Sequence, residues 1–471
     1  MVAVTSIGFP LFVAVLGLFW FRLPAQRRWL ALTAASSLFY LLLDAKGFPV
    51  LLLCTAVVWQ CALRLEKGNG WLALGLAGAL APLLLLKYGG MVTPSLAGLW
   101  QPLGISYFSL QLTGYLLSVK RGDFTAEKRF LRLFCYAAFF LSITQGPFNR
   151  YDALMPQLEK PITFDSARLW RGAQRMAWGY FKKYAVADRA AVVVNEAFLH
   201  PEKFDTSQLL FGVILFAFQL YADFSGYTDI VLGAGESLGL CLPENFRQPY
   251  LAQTIGEFWN RWHISLSSWL NEYVFEPLSW GSWASRWMKG QPVLTSLMIT
   301  FLVSGLWHGA AWNFLVWGAL NGLYQVISAW TRRSRKKLWK RLKVSPKNPV
   351  RRWEQRFVVF ICVVFGYVFF RASSITEALR YLGQMFTNHG NRVFSQYWML
   401  GLTSRLELVQ LLLGVALLIA VDLMHEKGLH LRDWVAARSM PVRLLVYEAS
   451  FLLFLFMGYF LGGGGFLYAR F

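Results

Sequence analysis

The sequence predicts an all-α integral membrane protein built from many hydrophobic helices. Of its 471 residues, 56% are hydrophobic and 15% are charged, whereas about 25% of residues are charged in soluble proteins. Mean hydropathy is +0.42. Apolar runs recur from one end of the chain to the other with no long Gly/Ser/Pro-rich linker between them. We therefore predict a single polytopic membrane domain over residues 1–471.

The apolar runs predict roughly eleven to thirteen hydrophobic helices. Several runs are only about 14 to 17 residues long, which is short for a helix that crosses a membrane alone. Such segments can be re-entrant or tilted, and broken backbone is tolerated in lipid only where it lines a cavity within the protein. We therefore expect a thinned, hollow centre. The runs lie near residues 7–21, 29–43, 47–63, 68–86, 103–119, 133–146, 209–222, 226–240, 291–305, 311–330, 357–370, 408–421 and 445–468.

Basic residues outnumber acidic ones and give a formal net charge of +21. They lie mostly in short segments between apolar runs, which the positive-inside rule explains without a nucleic-acid partner. The segment from Arg332 to Arg352 is therefore predicted to be cytoplasmic, where it could also contact anionic lipid. Arg286 and Lys289 come just before the apolar stretch of residues 290–331, and the basic segment follows it. Both ends of this apolar stretch should therefore face the cytoplasm. The basic cluster from Arg22 to Arg28 follows the first apolar run, which predicts an N-terminus on the side of the membrane away from the cytoplasm.

The sequence offers little support for a signal peptide, a metal site or a serine hydrolase site. The run from Ile7 to Phe21 has no basic region before it and no convincing cleavage site, so we predict a retained span. The five cysteines form no CxxC pair, and HExxH and HxxxH motifs are absent, so neither a disulfide nor a metal is expected. The letters GxSxG at Gly235–Gly239 end a hydrophobic run and lack the strand–turn–helix setting, so we attribute them to chance.

Two carboxylates interrupt hydrophobic sequence between Gln219 and Asp229. Asp223 and Asp229 each need a partner or water, because an ionised carboxylate is costly in apolar surroundings. The hypothesis that we favour is pairing with Arg247 or Arg261, which would brace the fold. In the alternative, one of the two orients a catalytic histidine, as a carboxylate orients the imidazole of a triad.

The segment from Arg168 to Arg189 mixes basic and aromatic residues. This composition predicts a helix that lies at the cytoplasmic interface of the membrane. Lipid anchoring is the favoured explanation of the mixture. The alternative is the mouth of a tunnel for an anionic donor such as a nucleotide thioester.

Two of the six histidines stand apart from the rest. Pro243 to Tyr250 predicts a loop, and Glu257 to Tyr273 has the aromatic and polar residues of an interfacial or re-entrant helix. His263 lies within that helix, and His308 lies in another dense aromatic setting. The other four fall in polar or boundary sequence: His200, His389, His425 and His430.

His308 lies in the stretch from Gly290 to Thr331, which contains no Asp, Glu, Lys or Arg. This is about twice the length that a helix needs to cross roughly 30 Å of hydrocarbon. We therefore predict two spans with the histidine near their junction, where a titratable group is costly and usually functional. An imidazole is suited to remove a proton from an attacking hydroxyl because its pKa lies near working pH. A purely structural hydrogen bond to a neighbouring helix is the alternative for a lone histidine.

Several polar segments occur together and in order: Gln219 to Asp229, Pro243 to Tyr250, Glu257 to Leu270, Ser304 to Asn313 and Phe365 to Ala372. In these segments the chain resembles the membrane-bound O-acyltransferase (MBOAT) family. It is more similar to the bacterial alginate O-acetylase branch than to the teichoic-acid D-alanyl transferase branch. Gln145 to Tyr151 also resembles the family's polar helix end.

The resemblance implies a multi-helix bundle whose central tunnel joins a cytoplasmic acyl donor to an extracytoplasmic acceptor, with a catalytic core over approximately residues 100–372. His308 matches the family's near-universal histidine and is expected to be the general base or, alternatively, an acyl carrier. His263 matches the second polar position and is expected to orient donor or acceptor. Substrate or tunnel contacts are expected at Asp223, Arg261, Trp262, Trp307 and Asn313.

The function implied by the resemblance is transfer of a small acyl group, expected to be acetyl, from cytoplasmic acetyl-CoA toward an exported polysaccharide or a periplasmic hydrolase-fold acetyl carrier protein. The expected location is the bacterial inner membrane, with no bound cofactor. D-alanylation of teichoic acid and O-acetylation of peptidoglycan stay open, as does a transporter in which His308 is a proton relay. Asn271-Glu272 and Asn321 depart from the family pattern and leave the choice of acceptor open.

Overall fold

The computed structural model describes residues 3–6, 8–96, 98–280 and 292–460. These residues are mostly helical, and the β-type pairing within them is one isolated bridge between Phe246 and Trp262. The predicted all-α class is confirmed. Arg286, Lys289 and the part of the last apolar run beyond residue 460 lie outside the described residues.

The chain divides into two compact units. Unit 1 comprises Met1–Gly179 and Tyr227–Glu244, and unit 2 comprises Tyr180–Gly226 and Asn245–Phe471. A single polytopic domain with a catalytic core at approximately residues 100–372 stays a prediction.

Unit 1 contains the first nine α-helices, of which the ninth continues two residues into unit 2. A π-helical segment, Leu84–Tyr88, follows the fourth of them. The helices are α1 (Gly8–Trp20), α2 (Ala25–Asp44), α3 (Phe48–Ala62), α4 (Asn69–Leu83), α5 (Gly89–Val92), α6 (Ile105–Arg121), α7 (Phe130–Ala137), α8 (Tyr151–Leu154) and α9 (Ser166–Phe181).

Aromatic rings form the core of unit 1. The rings of Phe9, Phe39 and Phe140 contact one another, with centroids 5.8 to 6.3 Å apart. Trp20 is fully buried, and its Nε1–H donates to the carbonyl oxygen of Leu238 at 2.9 Å. Burial of large rings together with a satisfied indole N–H is a strong local source of stability.

Unit 2 contains most of the remaining helices. Two π-helical segments occur in it, Lys182–Ala187 and Asn271–Phe275. The helices are α10 (Asp188–Leu199), α11 (Thr206–Leu238), α12 (Ile255–Arg261), α13 (Ile264–Leu270), α14 (Glu276–Trp280), α15 (Pro292–His308), α16 (Trp312–Trp330), α17 (Arg332–Arg341), α18 (Pro349–Arg371), α19 (Ile375–Thr387), α20 (Arg405–Glu426), α21 (Leu431–Ala436) and α22 (Met440–Met457).

Within the residues that the structure describes, five helical segments are long and apolar enough to cross a membrane. The same residues include three shorter apolar helices, α1, α3 and α15, of 13, 15 and 17 residues. Their lengths match the expectation of apolar segments that are short for a full crossing. The five longer segments are Asn69–Val92, Thr206–Leu238, Pro349–Arg371, Arg405–Glu426 and Met440–Met457.

Two apolar runs that were predicted as separate helices form one helix. The runs near 209–222 and 226–240 lie in α11, which continues for 33 residues through Asp223 and Gly226. A single glycine lowers helix stability by about 1 kcal/mol, which tertiary packing readily offsets. Most of the apolar part of α11 is buried, so this packing is available. Residues 206–226 of α11 belong to unit 2 and residues 227–238 to unit 1.

The two helices of the hairpin, α15 and α16, pack closely against each other at glycine residues. A Cβ atom on Gly305 would lie 2.3 Å from the carbonyl oxygen of Phe314, and one on Gly318 would lie 2.4 Å from that of Phe301. Glycine at both positions lets the two helix backbones approach closely, as small residues do in membrane helix pairs. This close crossing fixes the turn that carries His308.

Candidate active site

His308 is the last residue of α15 and lies in a cage of aromatic rings. Only 3% of the residue is exposed. The ring centroids of Trp307, Trp317 and Phe370 lie 5.0, 4.9 and 5.2 Å from the imidazole centroid. Because α16 begins at Trp312, the histidine lies at the junction of the two helices, as the sequence predicted. Rings on three sides separate this imidazole from solvent.

Asn313 ties the hairpin to the end of α18. Its Nδ2 donates to the carbonyl oxygens of Phe369 at 3.1 Å and Ala372 at 2.9 Å. Phe370, a neighbour of these carbonyls, contacts His308. The amide donor of Asn313 is therefore engaged in holding one wall of the cage in place.

His263 lies between α12 and α13 in a left-handed backbone conformation, with φ of 44°. Only 1% of the residue is exposed, and its ring contacts Phe224 at 4.6 Å and Trp307 at 5.7 Å between centroids. This loop lies outside the five long apolar segments, and burial lowers the pKa of the His263 imidazole to about 3. The ring is therefore neutral. Trp307 contacts both His263 and His308, so the structure brings the two predicted histidines to one shared ring.

The backbone around His263 is held by polar contacts that the sequence did not reveal. The side-chain oxygen of Asn245 accepts from the backbone N–H of Ser265 at 3.2 Å and from its hydroxyl at 2.6 Å. The backbone N–H of Arg247 donates to the carbonyl oxygen of Arg261 at 2.9 Å. Positive φ is unfavourable for most residues other than glycine, and these contacts hold the turn in that conformation.

Trp262 packs into an aromatic cluster beside His263. Its ring centroid lies 5.1 Å from that of Phe246, 5.6 Å from that of Phe258 and 6.1 Å from that of Tyr250. Burial raises the pKa of the Tyr250 phenol well above its usual range, and its O–H donates to the carbonyl oxygen of Ala217 at 2.6 Å. The cluster fixes the ring of Trp262 in place.

Arg261 is held by two carboxylates. It lies 2.7 Å from Glu257 one turn before it and 2.7 Å from Glu426 at the end of α20. Arg356 also lies 3.8 Å from Glu426. The guanidinium is therefore neutralised beside the turn that carries His263. Glu426 follows Arg261 by 165 positions, and no local pattern in the sequence indicates such a remote partner.

Asp223 is buried and belongs to an ion triad in unit 2. Lys183 Nζ lies 2.9 Å from the carboxylate of Asp223 and 2.8 Å from that of Asp188. The partner that the structure describes is Lys183, whereas the sequence favoured Arg247 or Arg261. The π-helical segment Lys182–Ala187 turns Lys183 inward, where only 2% of its side chain is exposed. Bracing, the favoured role for this carboxylate, agrees with the pairing.

Asp229 is paired within unit 1. Arg175 Nε lies 2.9 Å from its carboxylate, and the same guanidinium contacts Glu244 at 2.6 Å. Here too the partner that the structure describes differs from the predicted arginines, because Arg175 of α9 reaches the carboxylate. Both carboxylates that interrupt α11 are thus neutralised, each within its own unit.

The interfacial position of the segment from Arg168 to Arg189 stays a prediction. Leu169 and Trp170 of α9 are exposed. Lys182, Lys183 and Arg189 are instead buried, with 4%, 1% and 5% exposure. Their positive charges are directed to protein partners such as Ser225, which accepts from Lys182 at 2.8 Å. A sequence pattern shows the charges, but it does not show which way a π-helical turn directs them.

Asn321 occupies the position where the sequence departs from the family pattern. It is 4% exposed and lies one turn after Trp317, to whose carbonyl oxygen its Nδ2 donates at 2.9 Å. The ring of Trp317 is itself one wall of the His308 cage.

Within the described residues, no group of three or more His, Cys, Asp or Glu side chains is placed to hold a metal ion.

Comparison with known proteins places these residues in one family. The sequence model of the membrane-bound O-acyltransferase family matches residues 127–370, a range that includes both histidines and their aromatic neighbours. The chain belongs to the membrane-bound O-acyltransferase family. It is therefore a membrane O-acyltransferase and a multi-pass membrane protein, which in bacteria lies in the inner membrane.

Relatives place this MBOAT protein in the alginate O-acetylase branch. It is 32% identical over 402 residues to the probable alginate O-acetylase AlgI of Azotobacter vinelandii, covering 80% of this chain and 76% of the relative. It is 33% identical over 348 residues to the protein of that name from Pseudomonas putida, covering 70% and 67%. It is 29% identical over 400 residues to a peptidoglycan O-acetyltransferase of Helicobacter pylori, covering 76% and 73%.

Proposed function

We propose that this MBOAT protein transfers acetyl groups from cytoplasmic acetyl-CoA to hydroxyls of an exported polysaccharide, either directly or through a periplasmic hydrolase-fold carrier. The observation that carries the proposal is the imidazole of His308, buried among three aromatic rings in a segment that the family model covers. The names of its relatives as alginate O-acetylases support acetyl as the group and a glycan as the final acceptor.

In this mechanism His308 is the general base. A ring nitrogen takes the proton of the acceptor hydroxyl as its oxygen attacks the thioester carbonyl carbon. The tetrahedral intermediate then collapses, the C–S bond breaks, and the proton passes from the imidazolium to the departing thiolate. The products are an acetyl ester and free CoA. Burial suits this role, because a dry site strengthens the electrostatic interactions of the reaction and excludes hydrolysis of the thioester.

His263 orients one of the reactants in the proposed site. Its ring is neutral, so it can donate one hydrogen bond and accept another without adding a charge. The ring of Trp307 contacts both His263 and His308, so the two imidazoles are separated by one indole. Trp262 and Trp307 form apolar walls of the route.

Arg261, Asn313 and Asp223 act on the site through its scaffold. Arg261 and Asp223 are ion-paired, and the amide donor of Asn313 bonds two backbone carbonyls. The two charged groups and the amide donor are therefore engaged with protein atoms, and we expect these residues to position the loop, the helix and the hairpin that form the site.

Inverted membrane vesicles provide the test, because their cytoplasmic face is outward. Acetyl-CoA labelled in the acetyl group is added outside, and alkali-labile label is measured on lumenal glycan and lumenal protein. We expect label to appear inside with release of one CoA per ester formed. Vesicles that leave acetyl-CoA intact but transfer D-alanine from a carrier protein would contradict the proposal, as would proton-coupled solute uptake without consumption of thioester.

His308→Ala supplies the residue-level arm of this vesicle assay. General bases contribute about a hundredfold to ten-thousandfold to a rate, so we expect label transfer to fall at least about a hundredfold at equal protein abundance. The matched control is His389→Ala, because His389 is an exposed histidine of the same unit. It should transfer label at the wild-type rate.

A further inference from the structure

The indole N–H of Trp259 is one of several buried donors of unit 2 that have no protein acceptor among the described residues, and it lies beside the His308 cage. Trp259 lies in α12 and is 9% exposed. Its Nε1 atom is buried, and within the described residues no protein acceptor lies within hydrogen-bonding reach of it. A buried tryptophan N–H ordinarily has a partner, because removing the donor from water without compensation is unfavourable. Such a donor points to a ligand group that accepts from it.

Other buried indoles show the ordinary arrangement. Trp20 Nε1 donates to the carbonyl oxygen of Leu238 at 2.9 Å, and Trp59 Nε1 donates to that of Glu127 at 2.9 Å. Both are in unit 1, remote in sequence from the histidine cage. In both cases the indole donor has a protein acceptor, unlike that of Trp259 among the described residues.

Trp259 lies next to the cage of His308. Its ring contacts Phe301 of α15 at 5.2 Å and Trp317 of α16 at 5.6 Å between centroids. Trp317 in turn contacts His308 at 4.9 Å. Trp259 and His308 thus touch the same indole, and all four residues belong to unit 2. The donor is therefore one ring away from the proposed base.

Acyl transfer needs such a donor. When the acceptor oxygen bonds to the thioester carbonyl carbon, the carbonyl oxygen becomes an oxyanion. Hydrogen-bond donors fixed beside that oxygen in a dry site stabilise the transition state more than the ground state. The side-chain amide of Asn313 follows His308 closely in the sequence, but its N–H groups already donate to two backbone carbonyls. It is therefore engaged elsewhere.

We propose that Nε1–H of Trp259 donates a hydrogen bond to the acyl carbonyl oxygen of the thioester and stabilises the oxyanion that forms from it. The inference rests on the proposed acetyl transfer and names a catalytic residue for it. His308 accepts the proton of the attacking hydroxyl while Trp259 keeps its own N–H proton throughout. On collapse the oxyanion returns to a carbonyl, the thiolate leaves with its electron pair, and the proton from His308 neutralises it.

The test replaces the N–H without removing the ring. In the inverted-vesicle assay, Trp259 is changed to benzothienylalanine by stop-codon suppression, which puts sulfur in place of N–H in a ring of similar shape. Trp259→Phe is the second variant. For both we expect the maximal rate of label transfer to fall about a hundredfold, as removal of one oxyanion donor does. The KM for acetyl-CoA should change less than about twofold, because the bond strengthens only as charge develops.

Stability separates this role from a structural one. Since Nε1 bonds no described protein acceptor, the benzothienylalanine variant should keep the wild-type melting temperature. The control is Trp20→Phe, which removes an indole that bonds Leu238. It should lower the melting temperature and leave the rate per folded molecule unchanged.

The outcomes distinguish this inference from the proposed function. Wild-type vesicles that transfer no label would overturn the proposed function and with it the role of Trp259. Active wild-type vesicles together with a benzothienylalanine variant that transfers label at the wild-type rate would overturn the role of Trp259 alone. A rate loss matched by an equal loss of folded protein would also overturn it, because the ring would then serve packing.

Discussion

Several ion-paired side chains of unit 2 and the imidazole of His308 lie in different surroundings. Lys183 and Asp223 are buried and form an ion triad with the partly exposed Asp188, and Arg261 is neutralised by Glu426. The imidazole of His308 is instead surrounded by aromatic rings. Ion pairs fix backbone and helices, whereas the rings shield a titratable group from solvent. We therefore propose that the first region braces the fold and that the second carries the chemistry.

The largest loss of stability is expected from the ion triad. Lys183→Met leaves the buried carboxylate of Asp223 and the partly exposed one of Asp188 without their shared cation. Removal of one partner from a buried ion pair lowers the free energy of unfolding by about 3–5 kcal/mol. Thermal unfolding in detergent measures this. Lys203→Met, at an exposed lysine, should change stability by less than about 0.5 kcal/mol. Equal melting temperatures for the two variants would remove the bracing role of the triad.

The glycine crossing of α15 and α16 comes next. Gly305→Ala places a methyl group against the carbonyl oxygen of Phe314, so the helices must separate and stability should fall by about 1–3 kcal/mol. Gly383→Ala is the control, because its Cβ meets nothing within 4 Å. That exposed helical position should gain about 0.5–1 kcal/mol. If both variants had the melting temperature and the acetyl transfer rate of the wild type, the close crossing would not be needed to support the cage.

His263 should affect activity more than stability. His263→Asn removes the imidazole but keeps a residue that tolerates the left-handed conformation observed there. We expect label transfer to fall about tenfold to a hundredfold, because misplacement of a reactant is costly in this range. His389→Asn should leave transfer unchanged. A fully active His263→Asn variant would confine the chemistry to the His308 cage.

The smallest effect is expected at Glu426. Glu426→Gln weakens the hold on Arg261, and since both side chains are partly exposed we expect a loss of about 1 kcal/mol. A double-mutant cycle with Arg261→Gln measures the coupling between them. A transfer rate that falls only a few-fold, with unchanged KM for acetyl-CoA, would fit a positioning role. Zero coupling would show that the pair does not hold the loop.

The sequence alone predicted the parts of the site that depend on local pattern. A charge-free run of two span lengths located the hairpin and placed His308 at its junction, and aromatic density singled out His263. The charged partners could not be predicted in this way. Lys183 is directed inward by a π-helical turn, and Glu426 reaches Arg261 from a helix 165 positions away. Similarly, the unbroken course of α11 through Gly226 depends on burial that only the tertiary structure supplies.

Chemical rescue tests the central claim, that the caged imidazole of His308 is the base of acetyl transfer. The His308→Ala variant is assayed in inverted vesicles with labelled acetyl-CoA across a series of imidazole concentrations. We predict a rate at least about a hundredfold below wild type that rises with imidazole, while His389→Ala shows wild-type transfer and no response. Wild-type transfer by His308→Ala without imidazole would contradict the account.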